Sequence, residues 1–375
     1  MDSRKVTINW GLVVISTVVA LVASEVSISM FYPQDLSVWY ETEDGMTMHR
    51  PKIARYSPKF GHEIEINSLG MRDREHGVRK EKGIFRIMLL GDSFLEAFQV
   101  RYEDSFTSIV ERKLGKQFGC PIEVLNAGVS GWGTDDQLTY LKRYGLSLTP
   151  DMVVVVMTLH NDVMDNLREK FHMVREGRLV EKPFRRTGWA QYKVLELKGW
   201  LAARLHLYQL FLRYWRSERV RGEAQLLDNH VVNLFKERPI DGVKEGWEIT
   251  GLLLKEMKVT IDRSGGKMAI VLVPLSLQLY ENEFAGLVMR HRLDREEIMV
   301  DGPQKRMMRW GTQEGVQVID LLPAFKVAAA RNQGRLYLRG DGHWNEDGHR
   351  LAAEVVAKEL QSRGQFRCVD TSLSR

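Results

Sequence analysis

The run from Asp151 to Leu159, DMVVVVMTL, limits the fold more than any other stretch of this chain. Four consecutive valines with no polar alternation do not suit an antiparallel strand with one wet face. They suit a strand buried on both sides, as in a parallel sheet covered by helices. Parallel neighbours need crossover connections, so such a strand implies alternating strands and helices around it.

That alternation is present. Ile84 to Leu90 is a continuous apolar strand and Glu103 to Phe118 has helical spacing; Ile122 to Leu125 is a second strand and Thr134 to Tyr144 a second helix. The pattern pauses from Met164 to about Gly242, where aromatic-rich, basic sequence such as WAQYKVLELKGWLAARLHLYQLFLRYW predicts an inserted helical cap. It resumes with a helix from Val243 to Arg263, a strand from Lys267 to Val273 stopped by Pro274, a strand from Val316 to Ile319 and a helix from Glu346 to Leu360. The fold class is therefore α/β with a mostly parallel sheet. The expected organisation is a short segment 1–9, a span 10–32, a linker and small lobe 33–82, an α/β domain 83–365 carrying the insertion 164–242, and a tail 366–375. The polar segment 33–82, with Pro51 and Pro58, has no function legible in its residues.

Trp10 to Tyr32, WGLVVISTVVALVASEVSISMFY, would as a helix cover a hydrocarbon core of roughly 30 Å at about 1.5 Å per residue. Arg4 and Lys5 precede it and no Lys or Arg follows until Arg50, so the positive-inside bias puts the N-terminus in the cytoplasm. The strictly apolar part ends at Ala23 and Glu25 follows, so a transmembrane anchor and a cleaved signal peptide both fit; Leu21 matches the small-residue cleavage pattern poorly, which favours the anchor. Both place the bulk of the chain outside the cytoplasm, in the periplasm or at the cell surface.

A net charge of +5, from 54 basic and 49 acidic residues, is spread thinly. Only Arg204 to Arg221 faintly resembles the basic and aromatic stripe of a nucleic-acid binder, so no nucleic-acid partner is expected. Cys120 and Cys368 lack both a CxxC pair and a histidine at finger spacing, which argues against structural zinc; one disulfide and two free thiols both remain compatible. His160, His343 and His349 lie near carboxylates but without HExxH-type spacing, so no metal is expected.

In open α/β sheets ligands collect at the carboxyl ends of strands. Read in order, those ends carry Gly91-Asp92-Ser93, Asn126-Ala127-Gly128 and His160-Asn161-Asp162, with Asp341-Gly342-His343 near the C-terminus. A serine hydroxyl needs an imidazole to take its proton, and the imidazole needs a carboxylate to fix its tautomer. Ser93, His343 and Asp341 supply those three types. Attack on an ester carbonyl creates an oxyanion that wants fixed N–H donors, and the Ser93 and Gly128 backbone N–H groups with the Asn161 amide are candidates. Asp92 and Asp162 are read as supports.

These residues carry a resemblance to a known family. MLLGDSF, VLNAGVSGWGT, LHNDV and DGHWNEDGH resemble, in order, the four blocks of the SGNH (GDSL) hydrolases, whose name-giving residues would be Ser93, Gly128, Asn161 and His343. INSLGMRD at Ile66 to Asp73 is similar to a segment of membrane-anchored bacterial members. The resemblance implies a flavodoxin-like three-layer domain, esterase chemistry on an acylated small molecule, glycan or lipid, and no obligatory metal or cofactor. Two departures stand out. Leu159 lies where many members have glycine, and the last block reads Asp-x-His where Asp-x-x-His is common. The Asp-x-His form resembles polysaccharide O-acetyltransferases of the alginate type and keeps acyl transfer open beside hydrolysis, with an inactive envelope binding protein as a third reading. Gly91-Asp92-Ser93-Phe94-Leu95 lacks the second glycine of a G-x-S-x-G elbow, and neither GxGxxG nor GxxxxGK[ST] follows the first strand.

Overall fold

The computed structural model describes residues 9–116, 121–183, 188–215, 232–237, 240–292, 294–331 and 334–362. Arg4, Lys5, Cys120, Cys368 and the tail 366–375 lie outside the described residues. The chain opens with helix α1 (Trp10–Phe31), capped by the Asn9 side chain and without a buried residue. Among the described residues it is the one helix long and apolar enough to cross a membrane.

Two hairpins follow, β1 (Trp39–Glu41) with β2 (Thr47–His49) and β3 (Ile53–Ser57) with β4 (His62–Ile66). Val38, Ile64, Ile66 and Phe98 give them a small core of their own. The main domain then runs β5 (Phe85–Gly91), α2 (Ser93–Glu96), α3 (Phe106–Gly115), β6 (Ile122–Gly128), α4 (Thr134–Arg143), β7 (Met152–Met157) and α5 (Leu159–Asp165). The insertion comprises a hairpin, β8 (His172–Arg175) and β9 (Arg178–Glu181), then α6 (Trp189–Ala202) and helical residues 206–215. It is thus not wholly helical, because Glu176-Gly177 turns the chain back on itself with both residues at positive φ. The domain resumes with α7 (Asp241–Arg263), β10 (Lys267–Leu272), α8 (Glu281–His291), α9 (Gly302–Glu314), β11 (Gln317–Asp320), α10 (Leu322–Ala330) and α11 (Glu346–Ser362).

Strands β6, β5, β7, β10 and β11 lie in that spatial order, all parallel. This is the doubly wound order of a flavodoxin-like sheet, with its reversal between β5 and β7. The valine run explains itself in the packing. Val154 and Val156 face the helices α3, α10 and α11 through Phe106, Phe325 and Val356, whereas Val153 and Val155 face α4 and α7 through Leu138 and Leu254. All four are at most 1% exposed. Burying each stabilises the fold by at most about 1.5 to 3 kcal/mol against an extended chain. The sheet thereby holds three strand ends, after β5, β6 and β7, side by side.

Candidate active site

Ser93 is the first residue of α2, separated by Asp92 alone from the fully buried strand β5. Asp92 caps that helix by accepting the Phe94 N–H at 3.0 Å. The helix lasts one turn and stops at Ala97, whose φ of 57° is left-handed. Buried Arg72 holds this end by donating to the carbonyls of Glu96, Ala97 and Val100. Burial pulls the Arg72 guanidinium down to about 10, against the pull of Glu96, so it stays charged at neutral pH. Glu96 itself accepts from Trp39 Nε1 at 2.8 Å, faces His49 Nε2 at 2.6 Å and accepts from the Ser130 N–H at 3.1 Å. Burial pushes Glu96 up, but the His49 and Ser130 contacts outweigh it and leave the carboxyl below its ordinary range. The small lobe thus grips the helix that carries Ser93.

His343 comes from the loop before α11. Gly342 ahead of it has φ 82°, a left-handed conformation that a side chain would strain. Trp344 behind it is fully buried and packs edge-on against Phe94, 5.1 Å between centroids. Leu338 N–H donates to the His343 carbonyl at 2.8 Å, and the Phe94 ring lies 4.9 Å from the imidazole. A buried tryptophan and a glycine turn therefore aim the histidine at α2.

The structure places His343 Nε2 2.8 Å from Ser93 Oγ and His343 Nδ1 2.5 Å from Asp341 Oδ1. With the carboxylate accepting the Nδ1 proton, Nε2 is left as the acceptor for the serine O–H. Asp341 Oδ2 also accepts from Lys59 Nζ at 3.0 Å. Burial alone would raise Asp341; the Lys59 and His343 hydrogen bonds outweigh it and hold the carboxyl below its usual range. Ser93, Asp341 and His343 are thus brought together from positions 250 residues apart.

The candidate N–H donors differ among themselves. The Ser93 N–H opens a helix and has no intrahelical acceptor. Asn161 Nδ2 lies 3.5 Å from Asp92 Oδ2, and an amide carries a second hydrogen for another acceptor. Gly128 is placed differently from these two. Its single N–H donates to Asn126 Oδ1 at 3.0 Å, and it does not adopt positive φ. What demands glycine is close approach: a Cβ there would lie 2.7 Å from Leu95 Cβ and 2.8 Å from the Glu96 N. Asn126 in turn ties β6 to the lobe and to α2, donating to the carbonyls of Arg72 at 3.2 Å and Leu95 at 3.0 Å.

Asp92 and Asp162 are buried together behind the serine. Asp162 accepts from the Thr158 N–H at 2.7 Å and from Gln137 Nε2 at 3.3 Å. Burial raises both carboxyls, and the charge of Asp92 lifts Asp162 further. His160, next to Asn161, is pulled down to about 4 by burial and by the charge of His343. His349 is pulled down to about 3 by burial, then by Arg72 and His343. Both imidazoles stay neutral near pH 7.

Beside α2 runs a groove of about 780 Å³ whose walls include Trp39, Lys59, Phe60, Glu96, Ser130 and Leu195. That volume lies in the range of small-ligand sites. Lys59, Arg72 and the His49–Glu96 contact are the site residues that sequence reasoning missed. The one available signal was INSLGMRD, which contains Arg72; nothing marked Lys59.

Residues 243–371 match the family model described as SGNH hydrolase-like domain, acetyltransferase AlgX. That stretch contains Asp341 and His343 but not Ser93. The chain's resemblance to SGNH hydrolases thus stands on a family match as well as on its motifs. No curated protein matches the chain. Among solved structures, LAE5, an α/β hydrolase enzyme from the metagenome of Lake Arreo, Spain, is 14% identical with a TM-score of 0.42, over 78% of this chain and 100% of that one. The acetylxylan esterase Axe2 from Geobacillus stearothermophilus is 11% identical with a TM-score of 0.42, over 75% and 95%. A member of the lipolytic G-D-S-L family from Veillonella parvula DSM 2008 is 13% identical with a TM-score of 0.37, over 74% and 99%. Similarity at that level lends this chain no substrate.

Proposed function

We propose that the chain is a serine esterase that cleaves acyl esters, O-acetyl esters among them, on the extracytoplasmic side of a membrane that α1 crosses. The observation that carries this is the unbroken relay from Ser93 Oγ through both nitrogens of His343 to Asp341. The Ser93 proton passes to His343 Nε2 as Oγ bonds to the ester carbonyl carbon. The resulting oxyanion is met by the Ser93 N–H and Asn161 Nδ2, each such donor lowering the barrier by about 3 kcal/mol. Gly128 joins them only where its N–H leaves Asn126.

Collapse of the tetrahedral adduct breaks the bond to the alcohol oxygen, which takes the proton from His343 Nε2. Water then gives a proton to the same nitrogen, attacks the acyl-enzyme and releases the carboxylic acid with Ser93 restored. Asp341, kept ionised by its hydrogen bonds from both Lys59 and His343, stabilises the imidazolium formed in each step.

Acyl transfer is the second reading, favoured by the match to an acetyltransferase domain over residues 243–371. The chemistry is the same up to the acyl-enzyme, with a sugar hydroxyl in place of water. Ser93→Ala tests both. Hydrolysis of a short p-nitrophenyl ester should fall to the uncatalysed level while the circular dichroism spectrum is unchanged; turnover retained in the pure variant contradicts the proposal. A polysaccharide acceptor that diverts the acyl group from water identifies the transferase.

A further inference from the structure

Helix α6 is largely apolar around its circumference, yet it carries no buried residue. A helix of that kind is ordinarily enclosed. One side is accounted for, since Leu195, Gly199 and Ala202 line the groove beside α2. The other side leaves Trp189, Leu197 and Trp200 exposed by 77%, 57% and 46%. At about 100° per residue these three fall within an arc of about 80°. Helical residues 206–215 add Phe211, Tyr214 and Trp215, exposed by 56%, 72% and 55%.

What lies beside this aromatic surface is the end of α1. Glu25 accepts the N–H groups of His206 at 2.9 Å and Leu207 at 2.8 Å, so a carboxylate of the apolar helix caps the start of the second helix. The Gln34 N–H donates to His206 Nδ1 at 2.9 Å, and Arg213 donates to the Tyr32 hydroxyl at 3.3 Å. Tryptophan and tyrosine are most stable where an apolar ring meets a wet edge, as at a bilayer boundary. The exposed cations Arg204, at the junction of the two helices, and Arg213, on the second, suit anionic headgroups, whereas exposed Lys193 on α6 is paired with Glu196 at 2.7 Å.

We propose that the insertion is a membrane-docking platform: the outer side of α6 and residues 206–215 lie in the headgroup region of the bilayer that α1 enters. Glu25 then marks the level at which the apolar segment leaves the hydrocarbon. Because the inner side of α6 walls the groove, docking sets the groove about one helix diameter, roughly 10 Å, above the lipid. The proposal rests on α1 being in the membrane and is independent of the chemistry at Ser93.

The test is tryptophan quenching in the full chain, reconstituted into vesicles of phosphatidylcholine and phosphatidylglycerol brominated near the glycerol end of the acyl chains. The chain has nine tryptophans. Docking predicts that four are quenched, Trp10 in α1 together with Trp189, Trp200 and Trp215. In the triple variant Trp189→Phe, Trp200→Phe, Trp215→Phe, one of the remaining six is quenched. Quenching confined to Trp10 in the unaltered chain overturns the proposal, whether cross-linking then finds the surface against a second copy or against water. Loss of the Trp10 signal as well overturns it with the anchor.

Discussion

Asp341 has two partners, and they differ in what they can contribute. His343 Nδ1 sits 2.5 Å from one oxygen and the imidazole is three-quarters buried, so this contact decides the tautomer. Lys59 reaches the other oxygen at 3.0 Å but is 56% exposed, and solvent screening limits what its charge can do. Asp341→Asn should therefore lower kcat for a soluble ester by roughly ten-thousandfold, because the amide can hold the wrong tautomer. Lys59→Met should cost less than about fivefold, corresponding to under about 1 kcal/mol. Steady-state kinetics on the two purified variants checks the order. Equal losses would mean that the lobe, rather than the carboxylate, fixes the histidine. Lys59 sits in the turn between β3 and β4, a hairpin outside the parallel sheet, so reading the ends of the sheet's strands passed over it. Lys59 is an ordinary surface lysine in sequence, 282 positions from its partner.

Helix α2 is a single turn clamped from three directions, by the Asp92 cap, by Arg72 at its end and by β6 beneath it. Gly128→Ala tests the third clamp. A methyl placed 2.7 Å from Leu95 Cβ forces α2 to shift, at a cost of about 1 to 3 kcal/mol. The expected result is a lower urea midpoint together with a loss of kcat larger than the stability change explains, since Ser93 moves with α2. Unchanged kcat in a destabilised variant would show that the serine is held independently of β6. The strands around this helix were legible because a doubly covered sheet writes itself as unbroken apolar runs, as in Met152–Met157. Helices α8, α9 and α10 were not singled out. Their buried positions are few, only Phe284 and Leu287 in α8 for example, and α10 is a short run apolar at every position but Lys326, which gives no face to read. The register of His343 was legible as a motif but not as geometry, since the role of buried Trp344 in aiming it depends on Phe94, 250 positions away.

Across the molecule, the small lobe changes most between its sequence and its structure. Read as a polar linker with a small lobe, residues 33–82 bury His49, Arg72, Asp73 and His76 against the sheet domain. Periodicity looks for apolar faces, so an interface built from hydrogen-bonded polar groups passes unseen. Buried neutral imidazoles also give the whole fold a pH dependence. His349, 1% exposed, is held neutral down to about pH 3, whereas its ordinary value is 6.5. Below that ordinary value the unfolded chain takes up a proton that the folded chain refuses. The stability held in full above pH 6.5 is therefore lost as the pH falls toward about 3, by about 2 kcal/mol at pH 5. Urea unfolding at pH 7 and pH 5 should show His349→Gln losing about 2 kcal/mol less than the unaltered chain over that interval; equal losses would refute the assignment. The central claim is that the Ser93 hydroxyl is activated by the imidazole 2.8 Å away. A fluorophosphonate, which reacts only with such a serine, measures this most directly. The account predicts one label per chain, on the peptide containing Ser93 and absent after His343→Ala; a folded chain that stays unlabelled, or is labelled elsewhere, contradicts it.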